Sequence, residues 1–151
     1  MSNHAFGLRV DSVACPGGDA ACVLNGNAVQ DNNCQGILFV ASSGYTLTRN
    51  LAHRNGAEPC FPQGGITLAF GSSGNKITNN DSSDNNGFGI RMGFLAGTGA
   101  ASGNDIVNNT ATGNALADLS QVVPSENSWN DNNRCNTADG TVPPSVCKPG
   151  E

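Results

Sequence analysis

One short pattern occurs four times along the chain, and it limits the folds that the chain can adopt. In each copy an aliphatic residue is followed three positions later by Asn, and a second Asn follows five positions after the first. The copies are VLNGNAVQDN from Val23, TLTRNLAHRN from Thr46, KITNNDSSDN from Lys76 and DIVNNTATGN from Asp105. A recurrence of this length is typical of solenoids, in which each repeat packs on its neighbours.

The repeated Asn residues define two columns. The first column contains Asn27, Asn50, Asn80, Asn109 and, from a partial fifth copy (SWNDN), Asn132; the second contains Asn32, Asn55, Asn85 and Asn114. Asn tolerates the left-handed backbone region, and its amide can bond to the same residue in the next repeat. We therefore expect the columns to be stacked turn residues, and Asn75, outside both columns, to be a loop residue whose replacement has almost no effect.

A second motif, Gly followed by Ile or Leu, comes after the Asn pair. It occurs as GILF from Gly36, GITL from Gly65, GIRM from Gly89, a weaker DLS from Asp118, and an earlier GLRV from Gly7, in which Asn3 lies five residues before Leu8. Apolar residues alternate within these stretches, which is a strand period. The predicted inward positions are Leu24, Leu47, Ile77, Ile106, Trp129, Ile37, Ile66, Ile90, Leu119, Phe39, Leu68 and Met92.

Composition narrows the class of protein. Asn and Gly are abundant, yet 37% of residues are hydrophobic and only 13% are charged, which is not the balance of a disordered segment. A net charge of −5 with scattered basic residues argues against nucleic acid as a partner. No apolar run is long enough for a membrane span. Six Cys without a Cys-x-x-Cys pair favour disulfides, a secreted protein, and a mature or excised form of it.

The repeats resemble those of the pectate-lyase-like superfamily of right-handed parallel β-helices over nearly the whole chain. The resemblance implies an all-β fold, a single-stranded β-solenoid of about five rungs with two Asn ladders. The chain would be one domain, 1–151, with an incomplete first rung (1–22), central rungs (23–126), and a last rung with a disulfide cap (127–151). Stacked rungs would lie about 4.8 Å apart.

The six Cys allow 15 connectivities. Adjacency within the β-helical architecture favours the pairs Cys15–Cys22, Cys34–Cys60 and Cys135–Cys147.

Few residues in the sequence are candidates for catalysis or metal binding. The lyases and hydrolases of the superfamily use clustered acidic residues, and this chain has no clean match to either set. In the expected register His53 lies near Asp81 and Glu58. It could act as a catalytic base or a metal ligand, but a solvated His on a polar face is the simpler interpretation. Asp31, Arg54 and Asp84 are expected to form a surface ion-pair ladder. No metal motif is present, and no cofactor is expected.

Two insertions, 56–64 and 93–103, either shape a binding site or are tolerated length variation. The candidate carbohydrate-binding residues are His53, Glu58, Asp81, Ser83 and Arg91, the last on the outward face of the Gly-Ile strand.

Three functions remain open. We favour a carbohydrate-recognising or adhesive module, or a fragment of a larger polysaccharide-active protein; the alternatives are a polysaccharide lyase, epimerase or hydrolase, and a structural, self-assembling solenoid without a ligand. A polysaccharide is the expected partner, with no role for nucleic acid or membrane. We also expect self-association, or a missing preceding rung, at the N-terminal end over Phe6, Leu8 and Val10.

Overall fold

The computed structural model describes residues 5–16, 22–57, 60, 63–94, 99–130 and 132–148. Paired strands within these residues are all parallel and form three sheets. The first sheet contains β1 (Phe6–Asp11), β4 (Gln35–Val40), β7 (Gly64–Ala69), β9 (Phe88–Met92), β11 (Ala117–Gln121) and β13 (Ala138–Gly140). The second contains β2 (Val23–Asn25), β5 (Thr46–Thr48), β8 (Lys76–Thr78), β10 (Asp105–Val107) and β12 (Ser128–Trp129).

The third sheet is narrower. It contains β3 (Ala28–Gln30) and β6 (Leu51–His53), and single parallel bridges extend it through Asp81, Thr110, Arg134 and Lys148. The chain visits the second, third and first sheets in turn and pairs each strand with its copy in the next rung. A 3₁₀ turn, Pro144–Val146, follows β13. The parallel β-solenoid predicted from the repeats is confirmed.

The core consists of aliphatic columns that run along the stack. Leu47, Ile77 and Ile106 have no exposed surface, and neither do Ile37, Ile66, Ile90 and Leu119. Each such residue contributes about 1.5–3 kcal/mol through burial, as an upper estimate. Leu24 and Trp129, at the two ends of their column, are partly buried against this core. The predicted inward columns are therefore confirmed.

The first Asn ladder runs Asn27, Asn50, Asn80, Asn109. In each step the backbone N–H and side-chain Nδ2 of one Asn donate to Oδ1 of the next, at 2.9–3.0 Å. The last member is Asn133, which accepts from Asn109 Nδ2 at 3.1 Å, so the assignment of Asn132 was wrong. The turn after β12 holds one more residue than the others, and it is closed by Asn133 N–H donating to the Asn130 carbonyl.

The second ladder, Asn32, Asn55, Asn85 and Asn114, has the predicted members. Its Nδ2-to-Oδ1 distances are 2.8–3.0 Å. Both predicted ladders are thus present.

A third ladder, which the sequence analysis missed, runs Asn75, Asn104, Asn127. Asn75 is 1% exposed. Its Oδ1 accepts from Tyr45 N–H, and its Nδ2 donates to the Ser42 carbonyl and to Asn104 Oδ1, each at 3.0 Å. The assignment of Asn75 to a loop was therefore wrong.

The Gly-Ile motif has a steric cause. A Cβ on Gly65 would lie 2.7 Å from Asn85 Nδ2, and a Cβ on Gly89 would lie 2.6 Å from Asn114 Nδ2. Real Cβ atoms do not approach that closely, so the strand can pass the ladder only where it has no side chain. In the next rung Ala117 pairs with Phe88 and Leu119 pairs with Ile90. Asp118 therefore occupies the position that corresponds to Gly89.

Asp118 ends the second ladder. Its Oδ1 accepts from the N–H and Nδ2 of Asn114 at 3.2 and 2.9 Å. Its Oδ2 accepts from the N–H groups of Asn136 and Thr137 at 2.8 and 3.1 Å. In the weaker copy of the Gly-Ile motif, DLS, Asp118 replaces the glycine. Its carboxylate accepts the hydrogen bonds that another ladder Asn would accept from Asn114.

The C-terminal end of the core is covered by polar bonds and by the tail. Trp129 Nε1 donates to Gln121 Oε1 at 2.7 Å, and Asn127 Nδ2 donates to the same oxygen. Cys135, Val142 and Val146 are 0–5% exposed and complete the core. All three predicted disulfides form: Cys15–Cys22, Cys34–Cys60 and Cys135–Cys147.

Candidate functional site

The outer face of the third sheet carries a row of polar side chains. Along these strands Val29, Ala52 and Ala111 point into the core, so the residues on either side of them point outward. We call the outward set the polar strip; its members are Gln30, His53, Asp81, Ser83, Thr110 and Thr112. The interval between the first and second ladders is five residues in every copy, which keeps these side chains in the same relative position from rung to rung.

Asp81 is the centre of the strip. Ser83 Oγ donates to Asp81 Oδ1 at 2.6 Å, and His53 Nε2 lies 3.0 Å from the same oxygen. The Nε2–H direction is not aligned with that oxygen, so the contact is an electrostatic approach rather than a well-formed hydrogen bond. The Asp81 side chain keeps 43% of its surface exposed, and that of His53 keeps 19%. The carboxylate is therefore held in place while it still faces solvent.

Two hydroxyl groups continue the row into the next rung. Ser83 is 6% exposed, and its Oγ accepts from Thr112 N–H and lies 3.3 Å from Thr112 Oγ1. Thr112 was not among the predicted site residues, although it occupies the same outward column as His53 and Ser83. The register of the repeat, which aligns Thr112 with His53 and Ser83, would have predicted it.

An ion pair flanks the strip at the bend that follows it. Arg54 Nε and Nη2 donate to the two carboxylate oxygens of Asp31 at 2.9 and 3.0 Å, and Nη2 also donates to Gln30 Oε1. This hydrogen bonding to Arg54 lowers the pKa of Asp31, and the same contact raises the pKa of Arg54. The predicted ion-pair ladder is confirmed for Asp31 and Arg54; Asp84 contributes a weaker electrostatic attraction to Arg54.

Arg91 lies in the first sheet and not with the polar strip. It lies in the predicted outward column, but only 5% of its surface is exposed. Its Nη2 donates to the Phe94 carbonyl at 2.9 Å, and its guanidinium lies 4.3 Å from the centre of the Phe88 ring. Burial lowers the pKa of Arg91, an effect that the carboxylate of Asp139 partly opposes.

Three other members of the outward column in the first sheet, Leu38, Thr67 and Ser120, are 0–4% exposed, whereas Arg9 in β1 is exposed. The second insertion begins beside this face, where the Phe94 ring lies 4.9 Å from that of Phe70. Most of this outward column is therefore covered in the described residues, and the third sheet presents the longer row of polar groups to solvent.

The structure brings together His53, Asp81 and Ser83 of the predicted site residues and places Arg91 elsewhere. Glu58 and Asn3 lie outside the described residues. No group of three or more His, Cys, Asp or Glu in the described part of the chain is arranged to hold a metal ion. None of the residues described above forms a helix long and apolar enough to cross a membrane.

The three disulfides indicate an oxidising environment such as the outside of a cell.

Comparison of the sequence with known families agrees with the architecture. The model of the family described as right handed beta helix region matches residues 2–141. The chain matched no curated protein and no solved structure. Since the family match covers nearly all of a chain whose strands stack in parallel rungs, the protein belongs to the right-handed β-helix family.

Proposed function

We propose that the protein is an extracellular carbohydrate-recognising module and that the polar strip is its binding face. The observation that carries the proposal is the arrangement around Asp81, a partly exposed carboxylate that accepts a hydrogen bond from Ser83 and lies next to His53 and to a row of hydroxyl side chains. Sugar hydroxyl groups donate and accept hydrogen bonds, and a fixed acceptor binds them with little loss of side-chain freedom.

The repetition of the strip supports an extended ligand. Outward groups recur in successive rungs about 4.8 Å apart. A polymer of similar units lying along the stack would meet the hydroxyl groups of Ser83 and Thr112 in one column and Asp81 and Thr110 in the adjacent column. The flanking pair of Asp31 and Arg54 is neutral as a unit, so neither neutral nor acidic sugars are excluded from this side.

A second candidate function rests on His53. An imidazole beside a carboxylate is a common arrangement for a general base, and such contacts are often poorly aligned before substrate binds. The 3.0 Å between His53 Nε2 and Asp81 Oδ1 supports this second candidate. His53 makes no other polar contact among the described residues, which leaves Nδ1 as the nitrogen for a substrate proton. In this case the protein would act on a polysaccharide as a lyase or epimerase.

A glycan panel with matched variants tests the proposal. Wild-type protein, Asp81→Asn and Asp105→Asn are compared for binding to neutral and acidic oligosaccharides. Asp105 is a partly exposed carboxylate on β10, in the second sheet, and serves as the control. We expect Asp81→Asn to weaken binding about tenfold, the effect of losing one hydrogen bond to a charged acceptor. The control should bind like the wild type.

The results separate the open functions. Equal affinities of the two variants would contradict the polar strip as the binding face. No binding to any member of the panel would favour the structural solenoid. Absorbance from unsaturated uronate products, lost in His53→Ala, would assign the enzyme instead.

A further inference from the structure

Asp81 gives the polar strip an exposed negative charge with one free oxygen. Its Oδ1 accepts from Ser83 Oγ and faces His53 Nε2, whereas its Oδ2 makes no hydrogen bond among the described residues. His53 adds a positive charge beside it only when the imidazole is protonated. Since the Asp81 side chain keeps 43% of its surface exposed, a ligand can reach Oδ2 from solvent.

A second carboxylate lies on the other side of the hydroxyl column. Asp84 follows Ser83 at the left-handed bend, with a φ of 56°. A Cβ added to Gly113 of the next rung would lie 2.6 Å from Asp84 Oδ1, so this carboxylate reaches toward the residue that follows Thr112. The column of Ser83 and Thr112 therefore runs between Asp81 and Asp84.

No Lys or Arg neutralises these two carboxylates. All seven Lys and Arg residues of the chain lie in the described part of it, and none forms an ion pair with Asp81 or Asp84. Arg54 is bonded to both oxygens of Asp31 and attracts Asp84 only weakly. The other six lie in the first sheet (Arg9, Arg91), in the second sheet (Lys76), at the bend before β6 (Arg49), and further along the column of Asp81 (Arg134, Lys148).

The basic residues in the column of Asp81 are too distant to cancel its charge. Parallel bridges place Thr110, Arg134 and Lys148 one, two and three rungs beyond Asp81. At the usual spacing, the backbones of Arg134 and Lys148 are about 10 and 14 Å away. Exposed charges at such separations are largely screened at physiological ionic strength, where the Debye length is about 8 Å.

Negative charge therefore prevails around Asp81. In the described rungs that hold β3, β6 and Asp81, the third sheet and its bends carry the carboxylates of Asp31, Asp81 and Asp84 and the guanidinium groups of Arg49 and Arg54. The carboxylate with the free oxygen, that of Asp81, lies in the row of hydroxyl groups that faces solvent.

We propose that the polar strip selects glycans that carry a free amino group and discriminates against acidic glycans, a specificity that rests on the proposed function of the strip as the binding face. An ammonium group donates charge-assisted hydrogen bonds, which are roughly twice as strong as those between neutral groups. At Asp81 Oδ2 it meets a free acceptor, while hydroxyl groups of the same sugar lie near Thr110 and Thr112 of the next rung. A uronate carboxylate at that place brings like charge against Asp81 and has no proton to donate.

Three oligomers of equal length test the specificity on the full chain. They consist of glucosamine, N-acetylglucosamine and glucuronate, and so present a cationic, a neutral and an acidic sugar. Binding is measured by calorimetry at low and high salt, at a pH that keeps the sugar amine protonated and the carboxylates ionised. Wild-type protein is compared with Asp81→Asn and with the control Asp105→Asn, which changes a carboxylate in the second sheet.

We expect the wild type to bind the glucosamine oligomer about tenfold more tightly than the N-acetylglucosamine oligomer, the effect of a hydrogen bond between two charged groups in place of one to a neutral donor. The glucuronate oligomer should bind most weakly. The preference for the amino sugar should disappear in Asp81→Asn, persist in Asp105→Asn, and decrease in high salt.

The other outcomes are distinct. Equal affinities for the amino and acetylated oligomers, both reduced in Asp81→Asn, would overturn the amino specificity and leave the strip as a binding face. Tighter binding of the glucuronate oligomer, lost in Arg134→Ala, would overturn it and assign the ligand to the basic end of the column. Binding of none of the three oligomers would overturn both the specificity and the proposed function.

Discussion

Asparagine has two distinct roles in this chain: it forms left-handed bends, and it forms the buried ladders. In some copies two consecutive Asn residues perform the two roles. Asn79 and Asn108 have φ near 55° and occupy the left-handed bend, whereas Asn80 and Asn109, the next residues, are buried ladder members. The same left-handed step precedes Asn50 and Asn85, at Arg49 and Asp84. Tolerance of the left-handed region by Asn, and its short amide, explain why such pairs occur.

In the third ladder, too, a left-handed residue precedes the Asn, but here that residue is glycine. Asn75 and Asn104 each follow a glycine with positive φ, at 60° for Gly74 and 64° for Gly103. The Gly-Asn pairs were visible in the sequence, but the pattern that defined the first two columns was Asn three and eight positions after an aliphatic residue. A search for any left-handed residue before Asn would have predicted this ladder.

Replacing Asn75 tests the third ladder. Asn75→Ala removes the acceptor of Tyr45 N–H and two donated bonds, and leaving such buried partners unsatisfied costs about 1–3 kcal/mol. We expect a loss of that size in urea unfolding. Asn136→Ala is the control, since the Asn136 side chain is exposed and makes no hydrogen bond among the described residues. Equal losses in the two variants would contradict the burial of Asn75.

The corrected end of the first ladder gives a sharper comparison, because the two candidates are adjacent. Asn133→Ala removes the acceptor of Asn109, whereas Asn132 contributes only a backbone N–H, to Asn130. We expect Asn133→Ala to cost about 1–3 kcal/mol and Asn132→Ala well below 1 kcal/mol. Thermal unfolding measures both, and the reverse order would restore Asn132 to the ladder.

At the level of the strands, alternation predicted which side chains face the core but not what covers the opposite face. Ile66, Ile90 and Leu119 were placed correctly because the strand period fixes the inward side. Thr67 and Arg91, in the outward column, are buried as well. That burial depends on contacts that the repeat does not specify, such as the hydrogen bond of Arg91 to the Phe94 carbonyl and that of Gln35 to Thr67.

Asp118 links two strands by replacing a glycine with an acceptor, and its substitution tests the end of the second ladder. Asp118→Asn keeps one oxygen for Asn114 but places an NH₂ group against the N–H groups of Asn136 and Thr137. We expect a loss of about 1–3 kcal/mol in urea unfolding. Asp105→Asn, on a solvent-facing position of β10, should cost less than 0.5 kcal/mol by the usual range for surface changes. If both changes were neutral, Asp118 would not close the ladder.

The pair of Asp31 and Arg54 predicts a pH dependence with a definite sign. Hydrogen bonding to Arg54 lowers the pKa of Asp31 in the folded state. Its stabilisation is therefore complete above the ordinary pKa of Asp and is lost as pH falls through the lowered folded-state pKa. The difference in Tm between the wild type and Asp31→Asn should be small at neutral pH and vanish in acid or in high salt. A difference that grows in acid would contradict the pair.

For the molecule as a whole, the sequence was enough to predict the solenoid, the pairing of its six Cys and part of the candidate site. The repeat places His53 and Asp81 one rung apart in neighbouring columns, so their contact followed from register alone. The exposure of Arg91 depends on its contacts with Phe88 and with Phe94 at the start of the second insertion, which the repeat does not specify. The rest of the candidate site was therefore beyond what the repeat could predict.

The disulfide of the tail tests the closure of the C-terminal end. Changing both Cys135 and Cys147 to Ser releases a covering segment that includes the buried Val142 and Val146. We expect a loss of about 2–4 kcal/mol, the usual contribution of a disulfide. Denaturant unfolding measures it, and reduction of the wild type provides a second route to the same state. No change in either experiment would mean that the tail is held without the bond.

The two ends of the stack are held by different contacts, and this difference sets the order in which the strands unfold. Each rung contacts only the rungs beside it, so structure in such a stack is lost from an end and not from the middle. Among the described strands, the terminal ones at both ends pair on one edge, and each end has a disulfide. The last rung has in addition the side-chain hydrogen bonds of Asp118 and Trp129 and the buried tail residues Val142 and Val146. Opening should begin with β1–β3 and move toward the tail, and the lifetime of the folded molecule then depends on how long its first rung stays closed.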